Sequence, residues 1–398
     1  MVNLRTWGDR TMMNNKVIGK TQSYSRVCNN MLVVKSLQQK DLSATELAET
    51  LSLSNATLSS ILKQLSQIGI VKVSHSTNVN QLGRKRVIYT LNDCFGLFLN
   101  INITNHTANI SVANLKEEIL AKEVIEIEKY DTEAIYKIIL LATQLMLKEE
   151  IRVLPLKCVV ISLPGRVNQK DGRLMLAKHF DKGLFDKEDF IKNVFQEQFN
   201  DVPILIKNDV NVAALGEMRK GSLVNIENAI YISIDQGIGG SLIIDHKLFG
   251  GDFGYCGEFG LIKVEDGNRQ DFLDEFVSLR ILCAYASELT GENVGRTKLV
   301  ELYKTNEKIH EYVLNSGKII GRAIKNIVEI LDINTVILGG RVVNFGDEYL
   351  EAIKSEITNM VTDVSVSYSM VNSENKIIGA TGVGVEYLID KEINKENA

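Results

Sequence analysis

The stretch that decides the fold class is Ala229–Gly240, which reads AIYISIDQGIGG. Its first six residues are mostly apolar and predict a short buried strand. Glycines at positions 237, 239 and 240 follow the strand and predict a tight turn. The next apolar run, Ser241–Ile244, predicts a second strand that pairs back against the first.

The same change from buried strand to glycine or acid recurs along the chain. Cys158–Leu163 runs into Pro164-Gly165, Ile204–Ile206 runs into Asn208-Asp209, and Thr335–Leu338 runs into Gly339-Gly340. Further strands are expected at Phe95–Ile103 and Ala108–Leu115, and helices at Glu133–Glu149 and Ser316–Leu331. Strands that alternate with helices predict an α/β body whose ligand site lies where the strands end.

The residues before this body predict a different kind of domain. A helix begins near Arg26, Ser43 and Glu46 form a capping box for a second helix, and Ser54 or Asn55 caps a third that ends at Gly69. Two strands, Ile70–Val73 and Val87–Leu91, follow as a hairpin. We therefore predict a winged helix-turn-helix over residues 25–92, a body over 93–398, and a mobile basic arm over 1–24.

Nucleic-acid binding is the function that this first domain predicts. The outer face of the third helix offers Asn55, Thr57, Ser59, Ser60, Lys63 and Gln64, and the loop between the two strands carries Arg84, Lys85 and Arg86. Hydroxyls, amides and cations are the groups that contact phosphates and base edges. The alternative is a small helical domain whose polar face only meets water.

The distribution of charge supports the same division. Residues 1–92 contain twelve Lys and Arg against four Asp and Glu, a net +8, whereas the whole chain carries −5 and the remainder therefore −13. A basic domain joined to an acidic body is typical of a nucleic-acid-binding module fused to another function. A chance imbalance is the simpler reading of the same numbers.

Size and composition narrow the class of protein further. A chain of 398 residues suits two or three domains. Its five cysteines are scattered and form no C-x-x-C pair, which favours a reducing cytoplasm over a disulfide framework. No apolar run approaches the roughly 20 residues of a membrane span, and no secretory signal is recognisable. We therefore expect a cytoplasmic protein without a membrane segment.

Taken together, the loop motifs resemble the ROK family, which comprises repressors, open reading frames and sugar kinases. The motifs are Pro164-Gly165, Asn208-Asp209, Gly257-Glu258 and Gly339-Gly340, in that order. With the helix-turn-helix domain, the chain is similar to the xylose-repressor and N-acetylglucosamine-repressor branch. Gly83-Arg84 also matches a Gly-Arg pair of that branch, although the Pro that follows it there is absent here.

The resemblance implies an actin-like, two-lobed body with a sugar in its cleft. In family kinases the Asp of the Asn-Asp pair is the general base, and here that residue is Asp209. The resemblance implies that Asn208, Glu258 and Asp274 hydrogen-bond sugar hydroxyls, with Glu275 as an alternative to Asp274. Amides and carboxylates suit such a ligand because hydroxyls both donate and accept hydrogen bonds. The alternative for Asn208-Asp209 is a simple helix cap.

Departures from the family pattern argue against an enzyme. We align the family's Asp-x-Gly-Gly-Thr phosphate turn with Asn100–Thr104, so that Asn102 and Ile103 replace its glycines and block close approach of phosphate. Asp235-Gln236 replaces a Gly-Thr pair at the second phosphate turn, where a carboxylate repels a triphosphate. We predict no kinase activity and no cofactor.

The family's zinc site is also altered in the sequence. Leu261 stands at the position of its His, and residues 265–275 contain none of its three Cys. Four thiolate or imidazole ligands cannot be assembled from this stretch, so we predict no structural metal. The loss of the His also removes one sugar contact that the family makes, and a pocket that has lost its ligand is therefore an alternative.

The sequence as a whole predicts a repressor of sugar-utilisation genes. We expect a homodimer or homotetramer that binds two-fold symmetric operator DNA and is released by a sugar, xylose-like or other. Two alternatives stay open. One is a sugar kinase with an added DNA-binding domain, and the other is a DNA-binding scaffold whose body only dimerises.

Overall fold

The computed structural model describes residues 22–77, 86–168, 173–176, 180, 190–358, 363–370 and 374–395. Within these residues the chain divides into two compact units. The first contains the described residues up to Thr90 and those from Glu386 onward, and the second is Leu91–Val385. The end of the chain, which the sequence placed in the body, thus belongs to the first unit. No helix in the described ranges is long and apolar enough to cross a membrane.

The first unit has the order of helices and strands that the sequence predicts. Its elements are α1 (Gln22–Gln39), β1 (Leu42–Ser43), α2 (Ala44–Leu51), α3 (Asn55–Ile68), β2 (Val71–Thr77) and β3 (Arg86–Leu91). The three strands form one sheet in the order β1-β3-β2. Helix α1 includes residues 22–24, which the sequence assigned to a mobile arm. The rest of that arm lies outside the described residues.

Local capping explains where α2 and α3 begin and end. Ser43 Oγ accepts a hydrogen bond from Glu46 N at 3.3 Å, and Glu46 Oε2 accepts one from Ser43 N at 2.9 Å. This arrangement is the predicted capping box. Ser54, rather than Asn55, caps α3 by accepting from Thr57 N at 3.1 Å. The helix ends at Gly69, whose φ of 89° is left-handed.

Gln64 does not lie on the exposed face of α3, where the sequence placed it. Its residue surface is 6% exposed, and its Oε1 accepts from Asn30 Nδ2 of α1 at 3.4 Å. The prediction was wrong because Gln64 lies three residues after the buried Ile61 and therefore on the same side of the helix. The predicted inward residues of α3 are all buried: Leu58, Ile61, Leu62 and Leu65.

The second unit begins with a five-stranded sheet and its covering helices. The elements are β4 (Leu97–Ile103), β5 (Thr107–Asn114), β6 (Ile119–Glu126), α4 (Thr132–Met146), β7 (Leu156–Leu163), β8 (Arg166–Val167), β9 (Leu174–Leu176), α5 (Phe190–Gln198), β10 (Ile204–Asn208) and α6 (Asp209–Lys220). The sheet order is β10-β7-β4-β5-β6. Apolar residues of β4, β5 and β7 pack against α4 and α5 in one buried cluster.

A second five-stranded sheet completes the unit. The elements are β11 (Ala229–Ile234), β12 (Ile238–Ile244), β13 (Lys247–Phe249), β14 (Lys263–Asp266), β15 (Arg269–Phe272), α7 (Asp274–Val277), α8 (Leu279–Thr290), α9 (Arg296–Thr305), α10 (Glu307–Leu331), β16 (Thr335–Gly339), α11 (Asp347–Lys354), β17 (Ser365–Tyr368) and α12 (Asn375–Lys395). The large sheet has the order β13-β12-β11-β16-β17, and β14 and β15 form a separate hairpin.

The two five-stranded sheets share one topology. In each, three consecutive antiparallel strands are followed by two strands that run parallel to the first. Parallel neighbours end at the same edge, so Leu163 of β7 lies opposite Asn208 of β10. Likewise Ser233 of β11 lies opposite Gly339 of β16. The motif loops that follow these strands are therefore brought together at the strand ends.

Candidate functional site

The Asn208-Asp209 pair lies at the junction of β10 and α6. Asn208 caps α6, because its Oδ1 accepts from Val210 N and Asn211 N, both at 2.9 Å. Its Nδ2 donates to Gly165 O at 2.9 Å and so joins this junction to the Pro164-Gly165 loop. Asn208 therefore has the capping role that the simpler reading gave it, and it also fixes the neighbouring loop.

Asp209 is paired with a lysine that the sequence gave no reason to select. Lys376 Nζ, in the first turn of α12, lies 3.1 Å from Asp209 Oδ2. Both side chains are largely buried, with exposed fractions of 25% for Lys376 and 16% for Asp209. The two residues are 167 positions apart. No spacing rule or local motif connects them, so only the fold could identify Lys376.

Glu258 has a matching cationic partner in Arg166 of β8. Arg166 Nε donates to Glu258 Oε1 at 3.3 Å, and the guanidinium lies 5.0 Å from the centroid of the Tyr255 ring. Cation–aromatic contact and ion pairing together restrict where the arginine can lie. Arg166 directly follows the Pro164-Gly165 motif, so its position beside a motif was the one available signal for it.

Strand β12 contacts both the start of α6, next to Asp209, and the loop that carries Glu258. Gly257 has a φ of +94°, and a Cβ on it would lie 1.9 Å from Gly240 O, so only glycine lets the Glu258 loop lie against β12. On the same strand, Ser241 Oγ donates to Asn211 Oδ1 of α6 at 2.7 Å. The neighbours of Asp209 and Glu258 in the sequence, Asn211 and Gly257, thus contact adjacent positions of β12.

Asp274, the first residue of α7, contacts the beginning of β12. Its Oδ1 accepts from Ile238 N at 2.8 Å, and its Oδ2 is 3.4 Å from Arg280 Nη2. Glu275, the alternative that the sequence left open, pairs with the same arginine at 2.7 Å. Asp274 is therefore the residue that reaches the glycine turn, where it holds backbone rather than standing free beside Glu258.

The first phosphate turn is not where the sequence alignment placed it. Asn102 and Ile103 lie within β4, paired with Asn109 and Ala108 of β5. The turn after β4 is Thr104–His106, and Thr104 N donates to Thr107 O across it at 2.8 Å. The alignment was wrong because the strand continues past the expected Asp position. The turn residues Thr-Asn-His still include no glycine.

The second phosphate turn contains a carboxylate that two arginines hold. Asp235 Oδ1 lies 3.3 Å from Arg296 Nη1, and its Oδ2 lies 3.8 Å from Arg341 Nε. The sequence analysis treated Asp235 as a carboxylate without a cationic partner, which would repel phosphate. In the structure this charge is compensated by both cations, so simple repulsion is an incomplete description.

The stretch that the sequence aligns with the family's zinc site forms a hairpin with ion pairs. Asp266, at the end of β14, accepts from Arg322 Nη2 at 3.0 Å and from Asn315 Nδ2 at 3.1 Å, both on α10. Leu261, at the family's His position, is 44% exposed in a 3-10 turn. Across the described ranges no group of three His, Cys, Asp or Glu side chains could hold a metal ion.

The residues predicted to contact DNA are described only in part. The predicted contacts on α3 are all exposed: Asn55, Thr57, Ser59, Ser60 and Lys63. The Thr57 hydroxyl is 2.8 Å from Ser54 Oγ at the start of the helix. Arg84 and Lys85 lie outside the described residues, and of Arg86 only the backbone, at the start of β3, is described.

The two carboxylate–cation pairs near β12 each place hydrogen-bond donors next to an acceptor. Each of the pairs Asp209–Lys376 and Arg166–Glu258 uses one carboxylate oxygen, and the second oxygen has no partner among the described residues. Ammonium and guanidinium groups supply further N–H donors next to these oxygens. A donor beside an acceptor fits adjacent hydroxyls, each of which donates and accepts.

Comparison with known proteins identifies the family to which this chain belongs. The ROK family matches residues 98–389, and the chain belongs to it. A xylose repressor of Caldicellulosiruptor bescii is 25% identical over 375 residues, which cover 88% of this chain and 92% of the repressor. The membership confirms the family resemblance that the loop motifs gave.

Solved structures show the same fold. A ROK family transcriptional regulator, homologous to the Escherichia coli Mlc protein, has a TM-score of 0.77 at 18% identity and covers 94% of this chain and 98% of its own. A Streptomyces griseus ROK glucokinase, solved with glucose and AMPPNP, has a TM-score of 0.62 at 21% identity and covers 72% and 99%. The regulator thus matches a stretch of this chain that the kinase does not.

Proposed function

We propose that this chain is a DNA-binding repressor of sugar-utilisation genes that a sugar releases from its operator, and that it has no kinase activity. The observation that carries the proposal is the pair of carboxylate–cation contacts, Asp209–Lys376 and Arg166–Glu258, beside β12. Donors placed beside acceptors in this way suit a ligand with adjacent hydroxyls. The repressor named among the relatives makes xylose the first sugar to test.

The first unit supports the DNA-binding part of the proposal. Three helices followed by two strands are the elements of a winged helix-turn-helix, whose third helix enters the major groove. The outer face of α3 exposes hydroxyls, an amide and Lys63, and α3 contains no acidic residue. We place Arg84, Lys85 and Arg86 at phosphates or in a flanking minor groove.

We infer the absence of kinase activity from Asp235 and the two arginines beside it. Asp235 with its two arginines occupies a turn that would have to receive phosphate. The kinase alternative predicts sugar-dependent release of ADP, which a coupled assay with a panel of sugars measures.

Release from DNA requires the sugar to favour one form of the protein. A ligand that binds both forms equally shifts nothing, and a change from 1:99 to 99:1 needs about a 10⁴-fold preference. We propose that the sugar binds the form that does not fit the operator, in a homodimer or homotetramer. Each protomer would place one α3 on a half-site of a two-fold symmetric operator.

Substitution of Asp209 tests the pocket. We expect Asp209→Ala to bind operator like the wild type and to resist release by D-xylose, because the variant lacks one hydroxyl-binding carboxylate. Fluorescence anisotropy of labelled operator, titrated with xylose, measures both properties. Glu197→Ala, at an exposed carboxylate on α5, is the matched control and should respond normally.

The outcomes separate the proposal from its alternatives. Unchanged release of Asp209→Ala by xylose would show that this pocket is not the effector site. If no pentose, hexose, amino sugar or sugar phosphate raises the melting temperature of the wild type, the body is a scaffold that only dimerises. Stabilisation by one of these ligands reports binding directly.

A further inference from the structure

We propose that Phe253 and Tyr255 form an aromatic subsite for a second sugar ring, and that the effector is therefore a disaccharide or a longer oligosaccharide. The proposal rests on the sugar-binding role proposed above for Glu258 and Arg166, and it extends that role to a larger ligand. It does not depend on DNA binding, because it concerns contacts within the second unit alone.

The two aromatic rings are exposed to solvent and lie next to each other. Phe253 is 71% exposed and Tyr255 is 38% exposed. Their ring centroids are 6.4 Å apart, and the ring planes differ by 25°. Each of the other stacked pairs in the described part of the chain has a ring that packs in or against a buried hydrophobic cluster, as Tyr285 and Tyr312 do. The pair formed by Phe253 and Tyr255 therefore does not serve to fill the core.

The loop that carries the two rings is held against the body of the second unit. Cys256, the residue after Tyr255, packs against the buried cluster of the second large sheet. Gly254, between the two aromatic residues, has a φ of +73°, which glycine adopts without strain. The rings are thus exposed although the adjoining backbone is packed, so they form a fixed surface at this point of the chain.

Arg166 connects the aromatic pair to the proposed sugar-binding carboxylate. Its guanidinium lies 5.0 Å from the centroid of the Tyr255 ring, and its Nε donates to Glu258 Oε1 at 3.3 Å. The contacts therefore run from Glu258 through Arg166 and Tyr255 to Phe253. Because two side chains separate the carboxylate from Phe253, a single sugar ring that hydrogen-bonds to Glu258 leaves Phe253 uncovered. A second ring, joined by a glycosidic bond, extends the ligand towards Phe253.

The chemistry of the two parts matches the two kinds of surface that a sugar ring has. Hydroxyls lie around the edge of the ring, and the carboxylate and guanidinium groups accept from them and donate to them. C–H groups lie on the faces of the ring, and they suit the large apolar and partly negative faces of aromatic side chains. Small-molecule sites commonly combine aromatic walls with a few polar groups in this way.

The size of the aromatic surface favours a small ligand over a protein partner. Phenylalanine and tyrosine each bury about 150–250 Å² when they are fully covered. A stable protein interface buries about 800 Å² on each partner. The two rings offer well under that area, whereas one sugar ring is of the right size to cover them.

Calorimetric titration of the full-length protein tests the subsite. The wild type is titrated with D-xylose, D-glucose, xylobiose, cellobiose and maltose. We expect at least one disaccharide to bind at least about ten-fold more tightly than its own monosaccharide, the gain that covering one aromatic side chain gives. Phe253→Ala should lose this gain and keep the wild-type affinity for the monosaccharide, and Phe253→Trp should retain the gain. Tyr136→Ala, which removes an exposed aromatic ring from α4, is the matched control and should behave like the wild type.

The outcomes distinguish this proposal from the repressor function. The subsite is refuted if no disaccharide binds more tightly than its monosaccharide, or if Phe253→Ala, shown to be folded by circular dichroism, keeps the gain. It is also refuted if Phe253→Ala changes the oligomeric state in sedimentation, because the ring then belongs to a protein interface. If no saccharide binds at all, both this subsite and the proposed sugar pocket are wrong. Tight disaccharide binding that does not release the operator supports the subsite and contradicts only the release mechanism.

Discussion

At the residue scale, the role of a polar side chain depends on what lies next to it in space. Ser43 is 3% exposed, and its hydroxyl is held by both the backbone and the carboxylate of Glu46. Ser60 is exposed on the outer face of α3. The same substitution at these two serines should therefore have different consequences.

Ser43→Ala should lower the stability of the first unit and Ser60→Ala should not. Loss of an N-cap costs about 1 kcal/mol, which corresponds to roughly 4–8 °C in the melting temperature of a small domain. Circular dichroism of the full-length variants measures this transition. Ser60→Ala should instead weaken operator binding in an anisotropy titration. The reverse pattern would contradict both the capping and the contact assignment.

The site residues show how far sequence alone can go at this scale. Asn208, Asp209 and Glu258 could be proposed because each belongs to a short loop motif that resembles the family, and such a motif is visible in the local sequence. Lys376 was not found, because its contact with Asp209 spans 167 residues. Gln64 was misplaced because its polar side chain was assigned to the outer face of α3, although its three-residue spacing from Ile61 places it on the side that contacts Asn30 of α1.

At the element scale, charge pairs join the β14–β15 hairpin to α10. Arg322 of α10 contacts Asp266 at the end of β14, and it also lies 3.9 Å from Glu356. Because Arg322 is 39% exposed, solvent weakens these pairs, and we expect them to contribute about 1 kcal/mol.

Removal of metal should leave this hairpin intact, whereas removal of Arg322 should not. Dialysis against a chelator should leave the melting temperature unchanged, because residues 265–275 contain no Cys or His. Arg322→Ala should lower it by about 2–4 °C. Arg152→Ala, which breaks an exposed pair with Glu149, is the control. A lower melting temperature after chelation, restored by zinc, would refute the prediction.

Elements with a strong local period were predicted well, and their ends less well. The strand expected at Ala229–Ile234 has those bounds in the structure. Helix α10 begins at Glu307, nine residues before the expected Ser316, and Asn306 caps it by accepting from Ile309 N at 3.2 Å. This start was missed because the cap is a single asparagine, and tertiary packing decides whether such a residue begins a helix.

At the scale of the whole molecule, the uneven charge predicts how salt affects DNA binding. Residues 1–92 carry a net +8. Each phosphate contact lowers the slope of log affinity against log salt by about 0.9. If Arg84, Lys85 and Arg86 all contact phosphate, their replacement by Ala should make the slope shallower by about 2.7.

Operator titrations from 50 to 200 mM salt, or roughly a factor of four in concentration, measure this slope. Replacement of three cations of the body, Lys122, Lys192 and Lys247, by Ala keeps the change in net charge the same and is the control. An equal change of slope in both variants would show that net charge, rather than contact at the wing, determines the salt dependence.

The general architecture was predictable because each of its two parts has its own local sequence pattern. Strand-to-turn motifs predicted the α/β body, and helix spacing predicted the first unit. The shared topology of the two large sheets was not predicted, since strand pairing depends on contacts between distant segments. The junction in the last helix was missed for a similar reason: its residues form one continuous helix, Asn375–Lys395, that belongs to both units.

The long-range contacts of α12 also bear on how the chain is made. Thr381 Oγ1 accepts from Asn100 Nδ2 at 2.9 Å, deep in the body, across 281 residues of sequence. At about 5–20 residues per second, a ribosome takes roughly 15–60 s to synthesise that interval. During this time the buried amide of Asn100, in the first sheet, lacks its hydrogen-bond partner Thr381. The body can therefore reach its final packing only after α12 has been synthesised.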